Sequence, residues 1–343
     1  MDTVLVTAVG APPGLNCIRS LSETGRFRLV AADADQRSPA LYMHGEHVIL
    51  PRASDRAYLP MIVEAIRKFG IDVIMPCIEE ELFTLVQAKD QIRQAGARLL
   101  APEPSILARA CDKGECTKLA AANGIDCPKT APLPHSLGAQ ELKARLSAFA
   151  SACPPPWIVK PIYGHGMRDV IRVHSIAEAV QALERIRADA LVQEFIPSPV
   201  GNMFIVGLMC GPDGEVKRRF SSRSIQTLYP EGGPATAGIA VRRDDIIEET
   251  VRLLTLVGGW RGPAMVEWLR DVRDGSMKFI EINPRIWGYS YLATGAGLNF
   301  PEAAVDLCMG RSIPADPGFR EGTTMIRVTR DLIFDQPPYP PPA

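Results

Sequence analysis

The first hundred residues alternate short, β-branched apolar runs with amphipathic stretches, and this alternation restricts the fold more than any other feature. Residues 3–9 (Thr-Val-Leu-Val-Thr-Ala-Val) are bounded by Gly10, Pro12, Pro13 and Gly14, a pattern that predicts a buried strand. A helix is predicted from Leu15 to Thr24, a second strand over 27–32 ending at Asp33, and an amphipathic helix over 55–69 stopped by Gly70. Asp72 to Met75 reads as another strand, closed by Pro76. Glu79 to Gln94 reads as one long helix stopped at Gly96. Strands that alternate with helices bury both faces of a parallel, doubly wound sheet. The first unit is therefore placed at residues 1–103.

The period then changes. Helices near 104–110 and 113–123 form a connector over 104–127 that leads to Pro128, Pro132 and Pro134. Residues 128–192 read as a compact α+β piece: helix 139–150, strands 157–160 and 169–173, helix 175–187 and a strand over 190–196. Residues 193–335 look largely antiparallel. Strands 203–210 and 215–221 are joined by Gly211-Pro212-Asp213-Gly214, and helix 244–257 follows. Strands 262–270 and 277–283 meet through Asp274-Gly275, a hairpin signal. Residues 336–343 are mostly proline and are expected to be extended or disordered. The fold class is thus α/β followed by α+β.

Composition narrows the function. With 38 Lys plus Arg against 39 Asp plus Glu, the net charge is −1, so no global field favours nucleic acid or an anionic membrane. No stretch approaches the roughly 18 apolar residues of a membrane span. The N-terminus has no basic flank and no signal cleavage pattern, and the eight cysteines are scattered without a C-x-x-C pair. These features suggest reduced, mostly core cysteines, a cytoplasmic location and small-molecule chemistry.

The chemistry concentrates in the last hairpin. Glu267 lies in Val-Glu-Trp, and Glu281 and Asn283 lie in Phe-Ile-Glu-Ile-Asn-Pro-Arg. Residues i and i+2 of a strand share a face, so Glu281 and Asn283 project together. The turn centre falls near residue 274, which places Glu267 opposite Glu281. Two carboxylates and an amide oxygen on one patch call for a counter-cation, and hard oxygen donors suit Mg²⁺ completed by phosphate and water. The competing reading is a solvated sheet face. Arg285 follows two residues on, where a guanidinium can stabilise a transferring phosphoryl group or simply form a surface ion pair.

Two other segments add to this. Lys160 lies at a strand's end in Trp-Ile-Val-Lys-Pro, residues 157–161, followed by Tyr163-Gly164-His165-Gly166-Met167-Arg168. A lysine beside such a loop can reach phosphates while backbone N–H groups cap them, although a plain hairpin fits as well. There is no P-loop sequence, and the loop at Gly10 to Gly14 lacks the dinucleotide spacing. Leu191-Val192-Gln193-Glu194-Phe195-Ile196 can offer backbone groups to a base edge, or be only a strand. Substrate clues are fewer. In Glu79-Glu80-Glu81 the acids either suit the helix dipole or let Glu80 or Glu81 grip a substrate amine. Of Arg218, Arg219 and Arg223, the last is chosen to bind an acceptor carboxylate. His44 and His47 have no evident third ligand for a metal.

Taken in order, Lys113 in Cys-Asp-Lys-Gly-Glu, Lys160, Gln193-Glu194-Phe195-Ile196, Glu267 and Glu281-Ile-Asn-Pro-Arg285 resemble the ATP-grasp superfamily over roughly residues 1–310. The first hundred residues, including Pro76 to Leu82, look like the preceding domain of carbamoyl-phosphate-synthase-like members. The resemblance implies an ATP-grasp fold of two α+β subdomains, a lid at 128–192 and a catalytic part at 193–335. It implies that Lys113 and Lys160 contact the ATP phosphates under a loop of Gly164, His165, Gly166 and Met167. It places adenine at Gln193, Glu194, Phe195 and Ile196. It implies two Mg²⁺ (or Mn²⁺) held by Glu267, Glu281 and Asn283, with Arg285 steadying the transferred phosphoryl group. Ser198 to Asn202 offer no carboxylate where members often carry a ribose-binding acid, and His165 and Met167 replace small residues. The implied activity is an ADP-forming carboxylate–amine ligase that uses an amino acid or ammonia as amine, acts through an acyl phosphate and, by analogy, forms a homodimer. A small-molecule kinase and a non-catalytic nucleotide-binding protein are the alternatives.

Overall fold

The computed structural model describes residues 1–164, 167–229, 232–328, 331–336, 338 and 339. The first of its three sheets is parallel. It is built from β1 (Thr3–Val6), β2 (Arg28–Asp33), β3 (Glu46–Ile49) and β4 (Val73–Met75) in the order β3-β2-β1-β4. Helix α1 (Pro12–Ser22) packs on one face, and α2 (Tyr58–Phe69), α3 (Glu79–Gln87) and α4 (Lys89–Ala95) pack on the other. Gly14 lets α1 start against β1, because a Cβ there would stand 2.3 Å from the Ala8 carbonyl oxygen. The helix expected over 79–94 is two helices broken at Ala88. Lys89 ties the second to the unit's exit by donating to the carbonyls of Ala101 (2.9 Å) and Pro102 (3.1 Å).

Helices α5 (Pro104–Cys111) and α6 (Lys113–Ala122) lead to the second sheet. There β5 (Thr130–Leu133), α7 (Ala139–Ala152), β6 (Trp157–Pro161), β7 (Ile171–Val173), α8 (Ile176–Ile186) and β8 (Ala190–Glu194) give an antiparallel order β5-β8-β6-β7. The proline-marked stretch after the connector, where no strand was expected, contains β5. Pro132 is tolerated there because β5 is an edge strand, where a missing N–H costs no ladder bond. This lobe has its own core around Trp157, Phe149, Leu146 and Val159.

The third sheet comprises β9 (Met203–Cys210), β10 (Val216–Tyr229), β11 (Gly232–Ala240), β12 (Gly262–Arg270), β13 (Met277–Asn283) and β14 (Thr324–Ile326), in the order β13-β12-β9-β10-β11-β14. Helix α9 (Asp244–Val257), with α5 and α6, covers the face that carries Phe204, Val206, Leu208, Val266 and Trp268. The opposite face, with Ile205, Met209, Phe220 and Met265, packs on Trp287, α10 (Tyr291–Gly295), α11 (Phe300–Cys308) and α1. The first and third units therefore share one core. Gly207 is the close approach that permits it: a Cβ there would lie 2.4 Å from the Trp287 ring. Strands β11 and β14 were not legible in the sequence, the former because Gly-Gly-Pro-Ala-Thr-Ala-Gly-Ile-Ala has little β-branched content. Among the described residues no helix is long and apolar enough to cross a membrane.

Candidate active site

The β12–β13 hairpin places Glu267 directly opposite Glu281 and Met265 opposite Asn283. The route to that register differs from the simple one. Nearer the turn Trp268 faces Phe279, and a bulge between Glu267 and Trp268 shifts the pairing by one residue. Without it Glu267 would face Ile280, whose side chain belongs to the other face. All three candidate ligands stand on the face shared with the first unit.

The surrounding charges come from three parts of the chain. Lys113, the first residue of α6, lies 3.5 Å from Glu281 Oε2 and donates to the Gly164 carbonyl at 2.6 Å. Asp112 caps that helix by accepting from the Glu115 N–H at 2.8 Å, which fixes where Lys113 starts. Lys160, near the end of β6, is buried, and burial pushes its ammonium down to about 8 against the pull of Glu281. Arg285 donates to Asn283 Oδ1 at 2.8 Å and lies 3.5 Å from Glu79 Oε1 on α3. Asn283 Nδ2 in turn donates to Glu281 Oε1 at 3.2 Å.

The electrostatics of the carboxylate pair are asymmetric. Burial, and then the charge of Glu281, pushes Glu267 far above the ordinary carboxylate range. Burial acts on Glu281 too, but Lys113, Lys160, the Asn283 amide and Arg285 outweigh it and hold its pKa low. Protein cations alone thus keep one of the two glutamates ionised, and a divalent ion would supply what the second needs. Among the described residues no group of three or more His, Cys, Asp or Glu forms a metal cage. Two carboxylates and one amide oxygen fit Mg²⁺ that draws its remaining ligands from phosphate and water.

The other expected residues divide. Gln193 is buried on β8 and donates to Thr130 Oγ1 at 2.9 Å. The Glu194 carboxylate turns to Arg273 (2.6 Å), and its backbone N–H is taken by Lys129 O (2.8 Å). Phe195 carries the Arg172 guanidinium 4.0 Å over its ring, and Ile196 is buried. Gly164 and the exposed Met167 flank the second lobe's loop, whereas His165 and Gly166 lie outside the described residues. Arg223 is not brought to the cluster. It pairs with Phe204, which faces Trp268, so alternation puts it on the α9 side of the sheet, away from Glu267. Of the three glutamates on α3, Glu81 is buried and accepts from the Thr7 hydroxyl, while Glu79 faces Arg285. Burial pushes Glu79 up to about 7 despite Arg285. Nothing local singles it out among Glu79-Glu80-Glu81, and Tyr289, beside Glu267, had no sequence signal either.

Comparison with known proteins identifies the family and the fold. A family model described as PylC-like, N-terminal domain, matches residues 4–100, and an ATP-grasp domain model matches residues 110–289. The chain is 27% identical over 331 residues to mitochondrial pyruvate carboxylase of Mus musculus, covering 90% of this chain and 27% of the relative. It is 25% identical over 282 residues to pyruvate carboxylase 1 of Caenorhabditis elegans, covering 77% and 23%. The chain thus spans about a quarter of the length of these curated relatives. Its fold is similar to biotin carboxylase from Campylobacter jejuni (TM-score 0.72, 16% identity, 94% of this chain and 74% of that one). It is also similar to N5-carboxyaminoimidazole synthetase from Staphylococcus aureus complexed with ADP (0.72, 13%, 95% and 82%). L-amino acid ligase from Bacillus licheniformis gives 0.67 at 18% identity, covering 90% and 74%.

Proposed function

Because the chain belongs to the ATP-grasp family, we propose that it is an ATP-dependent carboxylate–amine ligase that releases ADP and phosphate. One observation carries the reading: Glu267 and Glu281 face each other beside Asn283, with Lys113, Lys160 and Arg285 around them. A carboxylate is a poor electrophile. Its oxygen attacks the γ-phosphorus of ATP, the bond to the β–γ bridging oxygen breaks, and ADP leaves. The amine then attacks the acyl phosphate carbon, the carbon–oxygen bond to phosphate breaks, and the nitrogen loses a proton.

In this reading Lys113 and Lys160 hold the nucleotide phosphates and offset the repulsion between the carboxylate and the γ-phosphate. The second lobe closes over the site and keeps water from the acyl phosphate. Gln193 to Ile196 line the adenine side. Glu267, Glu281 and Asn283 hold Mg²⁺, two ions by family analogy with Mn²⁺ accepted in its place, and the metal supplies positive charge at the terminal phosphates when bound. Arg285 orients the phosphoryl group, and Glu79 fixes Arg285. The substrates are a small carboxylate and an amino acid or ammonia.

The test is incubation with Mg-ATP and pooled amino acids and small acids, with mass spectrometry for a condensation product alongside ADP. Glu281→Gln is expected to lower turnover by about 10²–10³-fold. Hydroxylamine is expected to trap a hydroxamate. A stable phosphorylated product instead would make the protein a kinase, and full activity in Glu281→Gln would remove the metal assignment.

A further inference from the structure

The sheet face that carries Glu267 stays polar well beyond it. Glu267 pairs with Ile205, and Ile205 with Ser222, so Ser222 stands in the same row on the same face. Further along, Arg327 follows β14 and donates its N–H to the Thr236 carbonyl at 2.7 Å. Its guanidinium donates to the Gly288 carbonyl in the loop after Arg285. Tyr289 roofs this stretch, with its ring 3.8 Å from where a Cβ on Gly238 would be.

The polar groups here are unsatisfied. Among the described residues the hydroxyls of Thr236 and Ser290 are buried without a hydrogen-bond partner, and those of Ser222 and Tyr289 have none besides each other. Ser222 and Ser290 are 0% exposed and Tyr289 is 7% exposed. Arg327 is half-buried, and among the described residues no carboxylate pairs with it; burial alone lowers its pKa. A guanidinium withdrawn from water without a counter-ion is costly, as is each orphan hydroxyl. Arg327 could simply brace the loop through Gly288, but one carbonyl uses one of five donors and leaves the hydroxyls of Thr236 and Ser290 unexplained.

The geometry points to a carboxylate subsite: Arg327, with the hydroxyls of Ser222, Thr236 and Tyr289, takes a free carboxylate of the small-molecule substrate, whose reacting group lies toward Arg285. Gly288 is three residues from Arg285, so their Cα atoms are at most roughly 11 Å apart, and the Gly288 carbonyl that the Arg327 guanidinium reaches lies in the same loop as Arg285. A small molecule with one carboxylate that does not react, such as an α-amino acid, matches the chemistry of such a subsite. Arg327 thus fills the part that sequence reasoning gave to Arg223, from the correct face of the sheet. What reacts at the other end rests on the ligase reading; the anion subsite does not.

The test uses saturation-transfer NMR of the full chain with the twenty amino acids and their carboxamides, read beside the condensation assay. Wild type is expected to bind at least one free acid tenfold or more tightly than its amide. Arg327→Met is expected to lose that preference while keeping Mg-ATP binding and thermal stability. Arg327→Lys is expected to recover part of it, and Thr236→Val to weaken the acid severalfold. Equal binding of acids and amides by wild type, no binding of any acid, or a preference kept in Arg327→Met would overturn the subsite. Acid-selective binding without a condensation product would sink the ligase reading and leave the subsite standing.

Discussion

The second lobe and the first unit both border the same carboxylate cluster, yet they are attached to the third sheet in opposite ways. The first unit shares a continuous apolar core with it: Val6, Cys17 and Ile18 meet Ile205, Phe220 and Trp287. The second lobe closes its own core around Trp157. Its polar links to the rest of the chain include Lys113 to the Gly164 carbonyl and Glu194 to Arg273. Shared apolar burial fixes a relative position, whereas a few ion pairs and hydrogen bonds contribute little and exchange readily with water. One side of the site is therefore fixed by shared burial and the other is joined by polar contacts, a division that suits the proposed reaction, which must admit a nucleotide and then exclude water.

The largest test of that contrast is a pair of core truncations. Trp287→Ala removes the ring at the shared core and should cost about 3–5 kcal/mol, with the first and third units losing hydrogen-exchange protection together. Trp157→Ala removes an equally buried ring from the second lobe, and its loss of protection should stay within residues 130–194. A single cooperative transition that includes the lobe in both variants would break the comparison. Gly207→Ala comes next: forcing a methyl toward Trp287 should destabilise by about 1–3 kcal/mol, read from chemical denaturation.

A pH effect marks the first unit. Burial pushes Glu81 up to about 7 from an ordinary 4.5, with the Thr7 hydroxyl pulling the other way. The folded state holds this proton more tightly than the unfolded chain does. Its stabilisation is complete below pH 4.5, declines as pH rises, and is gone above about 7. Denaturation midpoints should show that downward slope between these values, to which the raised Glu79 and Glu267 add, and Glu81→Gln should make it shallower by the share of Glu81.

The smallest effect belongs to the second lobe. Arg273 is 50% exposed where it meets Glu194 but also pairs with the buried Asp271, so Glu194→Gln, which weakens only the tether to the lobe, should change global stability by less than about 1 kcal/mol. The same change should raise exchange at the end of β8, where one of the lobe's tethers is lost. A stability loss of several kcal/mol would mean the lobe is held more firmly than its polar links suggest.

Much of this was legible in the chain itself. Alternating apolar runs gave the parallel sheet, Asp274-Gly275 marked the late hairpin, and the i, i+2 spacing put Glu281 and Asn283 on one face. These are local signals, set by side-chain period and turn chemistry within a few residues. Tertiary structure decided the rest. A one-residue bulge brought Glu267 opposite Glu281, register sent Arg223 to the wrong face, burial chose Glu79 to meet Arg285, and a three-residue edge strand delivered Arg327. Each depends on which distant segment packs against the residue, and a period read along one strand carries no record of its neighbours.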